Sequence, residues 1–368
     1  MNARIWLSLN VRGRAKKKVV GTTAQDAPAR ETALRLHAGR REMALANILW
    51  SMSRVALGGG RGYDEQAKRP EGTTMKPSGK LLAAIIGLVL CTLALTGCGS
   101  PGQNKGLLLA NIGWDENVAV SNLTKVLLED ELGYESVEIR TQDNLDATYR
   151  DVASGELDAF QDVWLPNQEA LLDEVTEEVE RLDPWFLGET KQGMAVPAYM
   201  DVKSIPQLNS TDAEFILGIE SSSVMMQEVG QEVVPDYDLE QELVTAPTAG
   251  MLAEVERLYT FREEFVFLAW SPHWMNQRYK IRYLEDPKDA MGPTNDPAEC
   301  STIVRGGLRE ADPMAYAFMN ALELTEEQIN GLEYTINQED DPLAGARRWA
   351  SENREVVRPW IEAARNTR

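Results

Sequence analysis

From residue 107 onward the chain alternates two hydrophobic rhythms. Short apolar runs at 107–112, 136–140 and 157–164 have the length and composition of strands. Between them, 118–132 repeats apolar residues at helical spacing (Val118, Leu123, Val126, Leu127) and ends at Gly133, while 144–154 reads as a helix closed by Gly155. Strand and helix in alternation predict a mostly parallel sheet flanked by helices. Pro166 is placed to open a further helix to about residue 178. The run 193–200 carries Pro197, which suits an edge or a connecting strand better than a central one. After it the alternation restarts, with strands at 215–219, 239–245 and 264–270 and helices at 221–233 and 248–262; 279–284 is a further extended piece, and 300–368 reads as mainly helical. The restart predicts an α/β chain of two lobes, 107–192 and 193–289, with 290–368 returning to the first lobe and adding helices. One larger sheet is the competing architecture.

Three of the strand ends carry a Trp. The runs are Asn111-Ile112-Gly113-Trp114-Asp115-Glu116, Phe160-Gln161-Asp162-Val163-Trp164-Leu165-Pro166-Asn167 and Phe265-Val266-Phe267-Leu268-Ala269-Trp270-Ser271-Pro272-His273-Trp274. Ligands of open α/β sheets bind beyond the carboxyl ends of the strands, so three Trp there point to one cleft. Any one of them alone fits a core or lobe-interface residue equally well. Three indole faces make a cage for a quaternary ammonium, which gains about 0.5–2 kcal/mol per face when desolvated and offers methyl groups instead of hydrogen-bond donors. A second anchor is available at Gly218-Ile219-Glu220-Ser221-Ser222-Ser223, a strand-to-helix turn whose backbone N–H groups suit a carboxylate or hydroxyl.

Charge narrows the function further. The 368 residues carry a net charge of −21, but residues 1–97 hold 16 Lys and Arg against 6 Asp and Glu, which leaves 21 against 52 for residues 98–368. So acidic a body excludes nucleic acid as a partner and draws cations through its long-range field; it also suits high salt, where self-repulsion is screened. The chain is long enough for two cores. Three Cys at 91, 98 and 300 form neither a disulfide framework nor a thiolate metal site.

The basic stretch 75–80 and the apolar run 81–95 form a signal-peptide core, too short for a membrane span, and Leu95-Thr96-Gly97-Cys98 resembles the bacterial lipobox, in which the Cys is lipidated. We expect a signal peptide at 75–97 and a lipidated Cys98 followed by a Gly, Ser and Pro tether at 98–106, with two acyl chains giving firm membrane attachment. Residues 1–74 read either as a disordered extension or as translation from a misplaced start, with Met75 the true one; peptides from 1–74 in the native precursor would refute the second reading.

The body resembles the substrate-binding proteins of ABC importers for glycine betaine, proline betaine and choline. The resemblance lies in Gly113-Trp114-Asp115, Gly155-Glu156-Leu157-Asp158-Ala159, Val163-Trp164-Leu165-Pro166-Asn167, Gly218-Ile219, Phe267-Leu268-Ala269-Trp270-Ser271-Pro272-His273-Trp274 and Tyr283-Leu284-Glu285-Asp286-Pro287-Lys288, spanning most of 107–290. It implies a two-lobed periplasmic-binding-protein fold of type II that closes on its ligand. It further implies Trp114, Trp164 and Trp270 as the ammonium cage, and the amides of Gly218 and Ile219 as holders of a betaine carboxylate. Some betaine-binding members have a His five residues after the second cage Trp, where this chain has Glu169. Either Glu169 turns to solvent or the ligand is not a simple carboxylate. Choline fits the second option, with Glu116 or Asp115 accepting its hydroxyl; acids at a helix N-terminus are the alternative account of both. Trp185 and Tyr199 are further candidates to close the cage. His273 fits a helix start or lobe packing better than catalysis, and Trp274 fits packing beneath the turn.

The expected partners are a small quaternary ammonium ligand, an ABC permease with its ATPase, and the membrane through Cys98. The chain has no P-loop, so transport energy comes from the partners. No cofactor, metal or catalytic residue is expected. A lipid-anchored hydrolase built on His273 lacks a nucleophile elbow, a metal motif and a reactive Cys; a sensory receptor with the same cleft is the remaining alternative.

Overall fold

The computed structural model describes residues 106–367. The expectations for 1–74, for the signal peptide at 75–97 and for Cys98 lie outside the described residues. The chain opens with β1 Leu107–Asn111, α1 Asp115–Leu132, β2 Val137–Thr141, α2 Leu145–Ser154 and β3 Ala159–Leu165. The helix ends follow local chemistry: the Asn144 side chain accepts from Ala147 N, and Gly133 and Gly155 close their helices at φ 79°, a conformation that a side chain disfavours. α1 packs between the sheet and the C-terminal helices. It is therefore buried around most of its circumference, its polar residues Asn117, Ser121 and Thr124 included.

The chain continues through α3 Glu169–Asp173, β4 Val179–Arg181 and β5 Phe186–Leu187 to β6 Lys191–Pro197, then β7 Phe215–Leu217 and α4 Val224–Glu228, which runs on through a π-turn at Val229–Val233 to Val234–Asp236. β8 Glu242–Val244, α5 Thr248–Phe261, β9 Val266–Ser271, α6 Met275–Arg278 and β10 Ile281–Tyr283 follow. The remainder is β11 Glu299–Arg305, α7 Leu308–Ala311, α8 Pro313–Asn320, β12 Leu324–Thr325, α9 Glu326–Asn337, α10 Pro342–Glu352 and α11 Arg354–Arg365.

Two five-stranded sheets share one plan, β2-β1-β3-β11-β4 and β8-β7-β9-β6-β10. In each, four strands point one way and one is reversed: β11 runs antiparallel to β3 and β4, and β6 runs antiparallel to β9 and β10. The reversed strand comes from outside the sheet's own β-α-β run, so the chain passes from the first sheet to the second before β6 and back again before β11. This is the two-lobed α/β architecture. β5 and β12 form a separate parallel pair.

Several sequence expectations need correction. The helix expected from Pro166 to 178 is only α3, because none of its residues is buried and the acidic run at 174–178 buries only Val175; no apolar face exists to hold a longer helix. Residues 299–305, expected as part of a helical tail, are β11, whose residues 300–304 are all buried between two strands. β6 begins at Lys191 and lies between β9 and β10, with Pro197 at its last position, where only β10 pairs with it. The strand expected at 239–245 is the shorter β8.

Candidate functional site

At the carboxyl ends of β1, β3 and β9, Trp114, Trp164 and Trp270 line one cavity. Glu116, Asn167, Gln168, Gln192, Ile219, Ser223, Val224 and Met225 complete its wall. Trp114 is the N-cap of α1 and follows a tight turn: Gly113 has φ 95°, its amide donates to Asn111 Oδ1 at 2.8 Å, and Ile112 N donates to Asn117 Oδ1 at 2.8 Å. Gly113 thus takes a conformation that a side chain would disfavour, and the turn throws the indole off the strand end. Trp164 and Trp270 are the last but one residues of β3 and β9.

All three indole N–H groups donate to carboxylates. Trp114 Nε1 reaches Glu220 Oε2 at 3.1 Å, Trp164 Nε1 reaches Asp162 Oδ1 at 2.7 Å, and Trp270 Nε1 reaches Glu116 Oε2 at 3.0 Å. Glu220 is itself fixed by the amide and hydroxyl of Thr248, each at 2.8 Å. Two of the three bonds join residues of different lobes, as does Asn167 Nδ2 donating to Gln192 Oε1 at 2.9 Å. Each ring is thereby fixed in orientation at its N–H. The lining contains no Lys, Arg or His and one carboxyl, that of Glu116.

The two adjacent acids of α1 separate sharply. Asp115 does not line the cavity: its carboxylate accepts from Trp274 Nε1 at 2.7 Å and Asn337 Nδ2 at 3.0 Å, with His273 Nε2 at 3.3 Å. Burial pushes Asp115 upward, but His273, Asn337 and Trp274 outweigh it and hold the carboxyl below its ordinary range. Glu116 is 1% exposed; burial raises its carboxyl well above the ordinary range, and Asp162 and Glu333 add to this against the opposing bonds from its own backbone and from Trp270. Burial likewise pushes Asp162 up to about 8, opposed by the Trp164 bond.

Of the other expected residues, Ile219 lines the cavity, while the Gly218 amide donates to Val244 O at 2.8 Å, extending the β7–β8 ladder. Ser223, at the start of α4, is the polar wall residue that the turn contributes instead. His273 is fully buried, accepts from Met275 N at 3.1 Å on Nδ1 and meets Trp270 edge-on at 4.8 Å, so it braces that ring without lining the cavity. Glu169 is exposed and absent from the wall, where Asn167 and Gln168 stand; Gln168 Oε1 accepts from Tyr149 OH at 2.7 Å. Trp185 is buried against Phe186, with its amide on Cys300 O, and Tyr199 packs at a tilt against Tyr259 with its hydroxyl on Glu263 O; the structure brings neither to the cavity. The sequence reading missed Gln192, Ser223 and the carboxylates of Asp162 and Glu220. An Asp inside an apolar strand, two residues before a Trp, was the available signal for Asp162; nothing in the sequence marks Gln192.

Residues 106–352 match the family described as the substrate binding domain of ABC-type glycine betaine transport systems. A glycine betaine/carnitine transport binding protein of Listeria monocytogenes is 30% identical over 159 residues, which is 42% of this chain and 50% of that protein; this chain thus spans half the length of that relative. Among solved structures, the lactococcal OpuAC complexed with glycine betaine, in its closed-liganded conformation, aligns with a TM-score of 0.63 at 28% identity, covering 70% of this chain and 99% of that one. The glycine/betaine/L-proline-binding protein of a Borrelia burgdorferi ABC transporter aligns with a TM-score of 0.64 at 26% identity, over 71% and 99% of the two chains.

Proposed function

The chain belongs to the family of substrate-binding domains of ABC-type glycine betaine transport systems, and on that premise we propose that it captures glycine betaine or proline betaine in a cage of Trp114, Trp164 and Trp270. It is a transport binding protein and not an enzyme; the energy of uptake is supplied by the permease and ATPase to which it delivers its ligand. Binding proteins of ABC importers work outside the cytoplasm, and no helix of the described residues is long and apolar enough to cross a membrane. Attachment through a lipidated Cys98 completes the proposal. The observation that carries it is the convergence of three Trp, each held at its N–H by a carboxylate, on one cavity without a cationic residue in its wall. A cation entering there meets three rings, together worth about 1.5–6 kcal/mol, with acids behind them. The opposite wall supports a carboxylate-bearing ligand with the Ser223 hydroxyl and the backbone of Ile219 and of the first α4 residues.

One observation favours a second ligand of the same class. The Glu116 carboxyl is part of the wall and suits the hydroxyl of choline better than the carboxylate of a betaine. Calorimetry with glycine betaine, proline betaine, choline and carnitine separates the two readings. Binding of at least one at micromolar affinity or better is expected, and a protein that binds none of the four refutes the proposal.

A further inference from the structure

Behind the cage, the first lobe buries three carboxyls on three different elements. Glu116 of α1, Asp162 of β3 and Glu333 of α9 are each at most 1% exposed, and they act on one another electrostatically. Every titratable group recorded as acting on or acted on by Asp162 is acidic or neutral: Glu116 from α1, Tyr149 from α2, Cys300 from β11 and Glu333 from α9. The cation of α1, Lys125, is committed to Glu129 at 2.7 Å, and that of β11, the strand beside β3, Arg305, to Asp158 at 2.6 Å; His273 faces Asp115. Asp162 Oδ2, Glu333 Oε1 and both amide atoms of the neighbouring Gln161 are buried with no hydrogen-bond partner among the described residues. Three buried, unpaired anions so coupled are strongly unfavourable, and protonation is the ordinary way out.

We propose that Glu116, Asp162 and Glu333 are the counter-charge of the bound cation, and that capture releases a proton from this trio to solvent as the ligand's ammonium enters the cage. The inference rests on the reading of the cavity as a quaternary ammonium site. The geometry gives the route: Glu116 lines the cavity, Asp162 holds Trp164, and Glu333 accepts from Trp274 N at 2.7 Å in the turn after β9. Burial holds Asp162 up to about 8 and Glu116 and Glu333 well above their ordinary range, so three buried acids with no cation beside them favour keeping a proton among them. A fixed positive charge at the cage favours the ionised form of at least one member. Linkage then requires that the ligand bind more tightly as pH rises, and that its binding drive the proton off. The trio is thereby also a determinant of specificity, because an uncharged molecule of the same shape draws no proton and gains nothing from it.

The test is calorimetric titration of the full chain with choline and with glycine betaine in buffers of different ionisation enthalpy, repeated from about pH 6 to about pH 8. The expected results are release of a substantial fraction of one proton per ligand, more for choline than for the zwitterion, and a Kd that falls by up to about tenfold per pH unit. Asp162→Asn, which keeps an acceptor for Trp164, and Glu333→Gln should each reduce the release and flatten the pH profile. Binding with no buffer dependence and no pH dependence overturns this inference alone, as does proton release that persists unchanged in Asp162→Asn, Glu333→Gln and Glu116→Gln. Failure of both ligands to bind under every condition overturns the quaternary ammonium reading and this inference with it.

Discussion

A tryptophan in this cleft has two jobs, and the hydrogen bond at its N–H separates them. With the N–H of Trp270 held by Glu116 and His273 packed at a right angle to it, the ring that lines the cavity has little freedom left. Trp274, four residues later, gives its N–H to Asp115 and does not line the cavity. The two therefore respond differently to substitution. Trp270→Ala should weaken binding of a quaternary ammonium by about 3- to 30-fold, the loss of one cation–π face of ~0.5–2 kcal/mol. Trp270→Phe should recover part of it. Titration of both variants checks this, and an unchanged affinity in Trp270→Ala would remove that ring from the site. The sequence could single out Trp114, Trp164 and Trp270 because each ends a recognisable strand. It could not separate Asp115 from Glu116: adjacent residues at a helix start point to different sides, and only the packed positions of Trp274, His273 and Asn337 decide which one lines the cavity. Trp185 and Tyr199 illustrate the converse, since an aromatic outside the strand-end pattern carries no directional information.

Gly218 shows how an element's end settles a role that a motif leaves open. Its amide belongs to the β7–β8 ladder, and a Cβ there would lie 2.8 Å from the Val244 carbonyl and 2.5 Å from the Met226 sulfur. The Met226 end can move aside, but the backbone carbonyl cannot without loss of strand pairing. Gly218→Ala should therefore destabilise the fold by about 1–3 kcal/mol through overpacking, seen as a lower denaturant midpoint; a variant as stable as the parent would show that β7 and β8 can separate at no cost. The same dependence on a partner strand explains why the amide's role was illegible, because register against Val244 is fixed only once β8 is in place. β11 was missed for a related reason. Its apolar run, residues 300–304, is short, buried on both faces and followed by four amphipathic helices, so neither period stood out.

The restart of the strand–helix alternation after residue 200 was the clearest large-scale signal for two lobes; that their two sheets repeat one strand order was not legible in it. The reversed strand in each could not be read from local pattern, since it is donated by the chain as it crosses between lobes. At this scale charge also acts. Residues 98–368 carry 52 acidic against 21 basic side chains, a self-repulsion that salt screens over about 10 Å or less at 0.1 M and above. Raising NaCl from about 0.02 M to about 0.5 M should raise the melting temperature by several degrees; a flat or falling value would show that the surface ion pairs outweigh the net repulsion. The same acid excess concentrates cations near the cleft, in keeping with a site that is itself without a basic residue. The claim that joins these scales is that the cavity recognises a positive charge by ring faces and not by shape alone. It is tested most directly by titrating glycine betaine and choline against their uncharged carbon isosteres, in which a tert-butyl group replaces the trimethylammonium. The charged ligand should bind at least about tenfold more tightly than its isostere, since three cation–π contacts of ~0.5 kcal/mol each set the floor. Isosteres that bind as well as the cations would contradict it.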